Sequence, residues 1–142
     1  MGSINTQKAI VGGLVAGFVL TIVNYLLFTY VIGAQLHDEM ARFHPTLPIF
    51  MAAKRAIVGR IGTGFVLGIA TVWLYAAIRP RFGPGPRSAM LAAFAAWVVL
   101  SVGYAPYYLD RMMSLQLWCM AALLGLVSLT IASLAGAKLY TE

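Results

Sequence analysis

The sequence predicts an all-α fold, an integral membrane bundle of four transmembrane helices with one short amphipathic interfacial helix between the first and the second. Three observations lead there. Apolar residues make up 61% of the 142 residues and charged residues only 10%, where a soluble domain carries about 25% charged residues. The mean hydropathy is +0.86. Four apolar runs, at about 9–32, 57–78, 88–109 and 113–137, each reach the ~20 residues that carry a helix across ~30 Å of hydrocarbon. In lipid only a helix or a closed barrel satisfies its own backbone. The runs lack two-residue alternation, so they read as helices. Together they form a single transmembrane domain over 1–142, with an interfacial segment at 33–50.

The first run is too long for the apolar core of a signal peptide and has no A-x-A site after it, so it reads as an uncleaved span. Lys8 to Phe28 is echoed at Arg55 to Tyr75, with ten identities among 21 aligned positions, Gly17/Gly64 and Phe18/Phe65 among them. With one re-entry between the copies they should run antiparallel, as a quasi-two-fold pair packed through Gly17 and Gly64. Gly13 and Gly17 in the first copy, and Gly64 and Gly68 in the second, are small residues one turn apart. Such pairs let two backbones approach closely. Asn24, near the middle of the first span, should face another helix, either as interhelical glue or as a substrate or cofactor contact.

Between the first two spans, Leu36, Met40 and Phe43 recur at helical spacing, with Asp38, Glu39 and Arg42 on the wetter side. This reads as a short helix lying among the headgroups, stopped by Pro45 and Pro48. His37 and His44, with Asp38 and Glu39, are the cluster with chemical capacity. Two helical turns, ~10 Å, separate the histidines, too far to grip one metal ion from one straight helix. No metal is therefore expected. A solvated face is the first reading of this cluster, and an axial ligand to a cofactor or a general base the second.

The net charge of +6 would suggest nucleic acid in a soluble protein. Here the cations stand at the ends of apolar runs, where they reach lipid phosphates, and nucleic acid is excluded as a partner. Arg60, Arg79, Arg81 and Arg87 are the expected phosphate contacts, Arg60 sitting one turn inside the interface. Pro80 should end the second span, and Ser88 should cap the third. Tyr104, Tyr107 and Tyr108 read as an interfacial belt. The Asp110-Arg111 turn makes the third and fourth spans antiparallel neighbours. Ala121, Gly125, Ser128, Ala132 and Ala135 form a small-residue stripe, the expected packing face of the fourth span. Cys119 should be a buried, inert thiol. Five Lys/Arg on one side face five on the other. The charge rule therefore ties, and the preference for cytoplasmic termini is slight.

At Ile78-Arg79-Pro80-Arg81-Phe82-Gly83-Pro84-Gly85-Pro86-Arg87, and at the closing Ala135-Gly136-Ala137-Lys138-Leu139-Tyr140, the chain resembles a loosely defined group of small bacterial four-helix membrane proteins without assigned activity. The resemblance implies a bacterial inner-membrane protein and carries no functional residues over.

Three function classes remain. The first is an accessory or structural subunit of a larger respiratory or photosynthetic complex. It would pack against larger membrane subunits, or self-associate, and bind lipid, carotenoid or another apolar pigment or cofactor. The second is a small oligomeric transporter or passive channel lined by Thr21, Asn24, Thr63, Thr71 and Ser128. Its four-span size is similar to that of the small multidrug exporters, which need a membrane-embedded carboxylate in the first span where this chain has Asn24. The third is an interfacial enzyme built on the His37 cluster, for which no nucleophile–base–orienter set is evident. The first is the expected class, with no catalytic residues.

Overall fold

A computed structural model of the chain describes residues 4–43, 46, 49 and 52–140. They form five helices: α1 (Thr6–Tyr30), α2 (Gly33–Phe43), α3 (Lys54–Phe82), α4 (Pro86–Leu109) and α5 (Leu115–Leu139), with no strand among the described residues. α1, α3, α4 and α5 are long and apolar enough to cross a membrane. The fold is therefore the four-helix all-α bundle that composition and run length predict, with α2 as the short extra helix. The stops expected at Pro45 and Pro48 lie outside the described residues.

The helix ends follow local chemistry. Asn5 caps α1, its Oδ1 accepting the Lys8 N–H at 3.0 Å. Ser114 caps α5, its hydroxyl accepting the Leu117 N–H at 3.1 Å. Two expectations need correction here. Pro80 does not end the second span, because α3 runs on to Phe82 and stops at Gly83, whose φ is +82°. A missing donor one turn from the end costs only a single bond, and glycine then supplies the positive φ. Nor does Ser88 cap α4. Pro86 starts that helix and Gly85 is its N-cap, while the Ser88 hydroxyl donates to Gly83 O at 2.6 Å and closes the turn.

α1 lies between α3 and α5, and α4 packs on α5 and, less extensively, on α3. α1 and α3 are antiparallel and nearly touch. A Cβ added to Gly13 would lie 2.5 Å from Ile69 Cα, and one added to Gly17 would lie 2.6 Å from Phe65 Cα. A Cβ on Gly68 would run into the Gly17 nitrogen and come within 2.7 Å of Gly13 O. One added to Gly64 would meet Thr21 Oγ1 at 2.7 Å. Under the internal repeat Gly17 corresponds to Gly64 and Thr21 to Gly68. The contacts Gly17–Gly68 and Thr21–Gly64 therefore exchange with each other, as a two-fold axis requires.

The other flank of α1 meets α5 just as closely, with a Cβ on Gly136 coming within 2.7 Å of Gly12 O and 2.6 Å of Val72 Cγ2. Of the stripe on α5, Ser128 and Ala132 are buried while Ala121, Gly125 and Ala135 are half-buried. A Cβ added to Gly125 would meet only Trp97 Cδ1, at 4.0 Å. Cys119 is exposed on the outer side of α5 rather than buried; the surrounding apolar run misled because in lipid both faces of a helix are apolar. Two side chains join α4 to α5, Ser133 donating to Ala89 O at 2.7 Å and Trp97 Nε1 donating to Ala122 O at 2.7 Å.

Burial is uneven along the bundle. The buried residues of α1, α3 and α4 lie at Ala9–Leu20, Gly68–Ala76 and Ser88–Ala93, and those of α5 at Leu117 and Ser128–Gly136. All but Leu117 lie toward the end that carries the two termini. At the opposite end every residue of α3 from Lys54 to Thr63 except Ala56 is exposed.

If backbone proximity holds the bundle, Gly17→Ala and Gly68→Ala should each lower stability by about 1–3 kcal/mol, the usual cost of overpacking. The measurement is unfolding in detergent micelles. Gly62→Ala and Gly103→Ala, where the new methyl meets open space, should leave stability unchanged or slightly raised, since alanine is the better helix former. Equal losses at all four positions would show that close approach is not what these glycines provide.

Candidate functional site

The polar groups that the fold brings together lie at the end opposite the termini, where α2 folds onto the start of α5. Ser114 is the hinge of this arrangement. Its backbone N–H donates to Glu39 Oε2 at 2.9 Å and its hydroxyl donates to Glu39 Oε1 at 2.6 Å. A carboxylate is thereby set on the positive end of the α5 dipole, which stabilises it by about 0.3–1 kcal/mol. Partial burial works to raise the Glu39 pKa. The hydrogen bonds from Ser114 and Gln35 and the charge of Arg42 outweigh it and hold the carboxyl below its ordinary value.

Beside this tether is an open cleft of about 370 Å³, lined in part by Glu39, Arg42, Tyr108, Arg111 and Ser114. Arg42 stands one turn after Glu39 on α2, so the two side chains share a face. Arg111 arrives from the end of α4. Its N–H donates to Tyr108 O at 3.0 Å, and the Met112 N–H donates to Tyr107 O at 2.9 Å. That pairing is the Schellman closure of a helix, with Arg111 at the position glycine usually takes. Arg111 has φ +58° and is the only non-glycine residue with positive φ among the described residues. The left-handed backbone costs a side-chain-bearing residue about 1–2 kcal/mol. Tyr108 stacks at a tilt on Trp118, with ring centroids 6.4 Å apart.

A second polar cluster closes the terminal end. The Asn5 N–H donates to Tyr140 Oη at 3.1 Å, and the Gly85 N–H donates to Tyr75 Oη at 3.3 Å. The two rings meet edge to face at 6.0 Å. Arg79 lies over the Tyr140 ring, 5.6 Å from its centroid. These contacts tie the first residues to the last and to the α3–α4 turn, which is a structural task.

The other sequence candidates are dispersed. His37 is exposed and its Nδ1 lies 3.6 Å from Asp38 Oδ1, with both side chains largely in the open. His44 lies outside the described residues. No group of three metal-ligating side chains occurs among the described residues. Asn24 is half-buried, and its Oδ1 is buried without a hydrogen-bond partner among the described residues. Arg60 folds back along α3, Nε donating to Ala56 O at 3.3 Å, toward the end where Lys54 and Arg55 stand. Arg81 and Arg87 are exposed.

The structure does not gather His37 and Asn24 into one site. Instead it unites Glu39 and Arg42 with Ser114 and Arg111. The serine had a signal in the sequence, since it directly precedes the last apolar run as an N-cap does. Its partnership with Glu39, across more than half the chain, had none. No family model matches this chain, and neither does any curated protein or solved structure.

Because the folded Glu39 carboxyl titrates below its unfolded value, its stabilisation is complete above the ordinary carboxylate range, about 4.3. It is lost as pH falls through the lower folded value. The protection of α2 amides, taken relative to their intrinsic exchange rate at each pH, should therefore fall below about pH 4.3 in the wild type, and the Glu39→Gln protein should lack that step. Asn24→Leu removes an amide oxygen with no partner and should raise stability in micelles by about 1 kcal/mol. A loss of that size would reveal a partner for the amide.

Proposed function

We propose that this protein is an accessory or structural subunit of a larger membrane complex, packing against partner helices and binding lipid or another apolar cofactor. The observation that carries the reading is the exposed first third of α3. A spanning helix in a bundle hides one face, yet from Lys54 to Thr63 only Ala56 is even half-buried. Ile57, Val58, Ile61 and Val66 lie exposed along it. Further along the same helix Val66, Ala70, Trp73 and Ala77 line a shallow, open apolar hollow on the helix surface. Its small residues and the exposed Trp73 ring suit contact with an acyl chain, a polyene or a neighbouring helix. A respiratory or photosynthetic complex of a bacterial inner membrane, with both termini in the cytoplasm, is the setting we favour. The localisation rests on the resemblance noted above, and the orientation on a slight preference.

A passive pore has less support. Thr21, Thr71 and Ser128 each turn their hydroxyl back onto a carbonyl of their own helix, at 2.8 Å in all three cases. Thr71 and Ser128 are buried among helices that nearly touch. An interfacial enzyme has less still, because among the described residues His37 pairs with only its neighbour Asp38.

Purification from the native membrane in mild detergent, followed by mass spectrometry of co-purifying proteins, lipids and pigments, tests the proposal. A larger membrane subunit recovered in fixed stoichiometry is the expected result. A lone homodimer without such a partner would overturn it in favour of transport.

A further inference from the structure

We propose that the cleft between α2 and the α4–α5 turn binds the phosphodiester of an anionic membrane phospholipid, gripped by Arg42 and Arg111. The inference deepens the lipid-binding part of the function proposed above and rests on it. Four features of the cleft support this occupant. It lies where α4 ends and α5 begins, the level at which headgroups meet a spanning helix, and an interfacial tyrosine, Tyr108, forms part of its wall. It presents two guanidiniums, whose planar forks match phosphate oxygens. Among the described residues, neither guanidinium has a hydrogen bond or a salt bridge of its own. Finally, two arginines against one carboxylate leave a single positive charge, which one phosphodiester neutralises.

Glu39 has a positioning part in this site. Its carboxylate is already committed to the Ser114 N–H and hydroxyl, so the α5 terminus is satisfied from within the chain. The same tether holds α2 against α5 and thereby brings Arg42 to the cleft that Arg111 borders. Met113 and Leu115 complete the lining with apolar surface, suited to the glycerol and upper acyl carbons behind a phosphate. Arg111 keeps a side chain at a backbone position that favours glycine, and a headgroup contact gives that side chain a use.

The test uses the full-length protein, delipidated in a non-ionic detergent and titrated by native mass spectrometry with phosphatidylglycerol, phosphatidylcholine and inorganic phosphate. Phosphatidylglycerol should bind most tightly. Arg111→Gly and Arg42→Gln should each weaken it about tenfold, the scale of one lost charge-assisted hydrogen bond. Arg111→Gly should do so with a melting temperature no lower than wild type, because glycine relaxes the turn. Lys54→Gln, which removes an exposed cation from the start of α3, should leave the affinity unchanged. Unchanged phosphatidylglycerol affinity in both arginine variants would overturn the site, as would an equal loss in Lys54→Gln, which would mark diffuse attraction. Equal affinity for phosphatidylcholine would overturn the anionic preference, and equal affinity for inorganic phosphate would make the occupant a soluble anion. Recovery of a partner complex alongside unaltered lipid affinity in the variants would remove this site and leave the subunit reading standing.

Discussion

Everything in this bundle depends on how near α1 comes to its two neighbours. In lipid there is no water to expel from between helices, so association relies on dispersion contacts and a few interhelical hydrogen bonds. Dispersion falls steeply with distance, and only residues without side chains allow the backbones themselves to meet. Gly13 and Gly17 let α3 in on one side, and Gly12 admits Gly136 of α5 on the other. The internal repeat places two such surfaces face to face, and the exchange of the Gly17–Gly68 and Thr21–Gly64 contacts is its geometric result.

That proximity is spent at one end. Around the termini the helices converge, Ser133 bonds to Ala89, and Tyr140 links Asn5 to Tyr75 and Arg79. Toward the other end Ile57, Val58 and Ile61 on α3 and Val99, Val102 and Tyr104 on α4 are exposed, and a Cβ on Gly59, Gly62 or Gly103 would meet nothing within 4 Å. There the Glu39 to Ser114 contact joins α2 to α5, Tyr108 stacks on Trp118, and Ile32 and Leu117 are buried. The protein thus has a dry, close-packed end and a loosely joined end, and the cleft beside α2 and the exposed start of α3 lie at the loose one.

The fold class was legible because it rests on composition and run length, both of which survive without knowledge of any contact. The position of α2 was legible from Leu36 and Met40 at helical spacing against Asp38 and Glu39. Glycines marked the inward sides of α1 and α3, at Gly13, Gly17, Gly64 and Gly68, but the outward sides carried no mark of their own. In water an inner face is apolar and an outer face polar; in lipid both are apolar, so the run around Cys119 gave no bearing on a thiol that lies exposed, and the stripe through Gly125 marked the inner side of α5 without marking its closest contact. Gly136 makes the closest approach on α5, yet nothing in the local sequence sets it apart from Gly125. Pro80 and Ser88 misdirected for another reason, since each acts within one turn of a helix end, where Gly83 and Pro86 hold the stronger claim. The interfacial cleft was half visible, its α2 residues by their charge. Its other half needed the topology that carries the α4–α5 turn over to α2.

α1 sits between α3 and α5, with glycines on both flanks, and this has a bearing on biosynthesis. α1 leaves the ribosome before α5, yet it needs a surface that α5 supplies. Until α5 enters the bilayer, the flank of α1 carrying Gly12 and Ala16 must rest against acyl chains or a chaperone. Insertion and assembly are then separate events, and the bundle closes only when its final helix arrives.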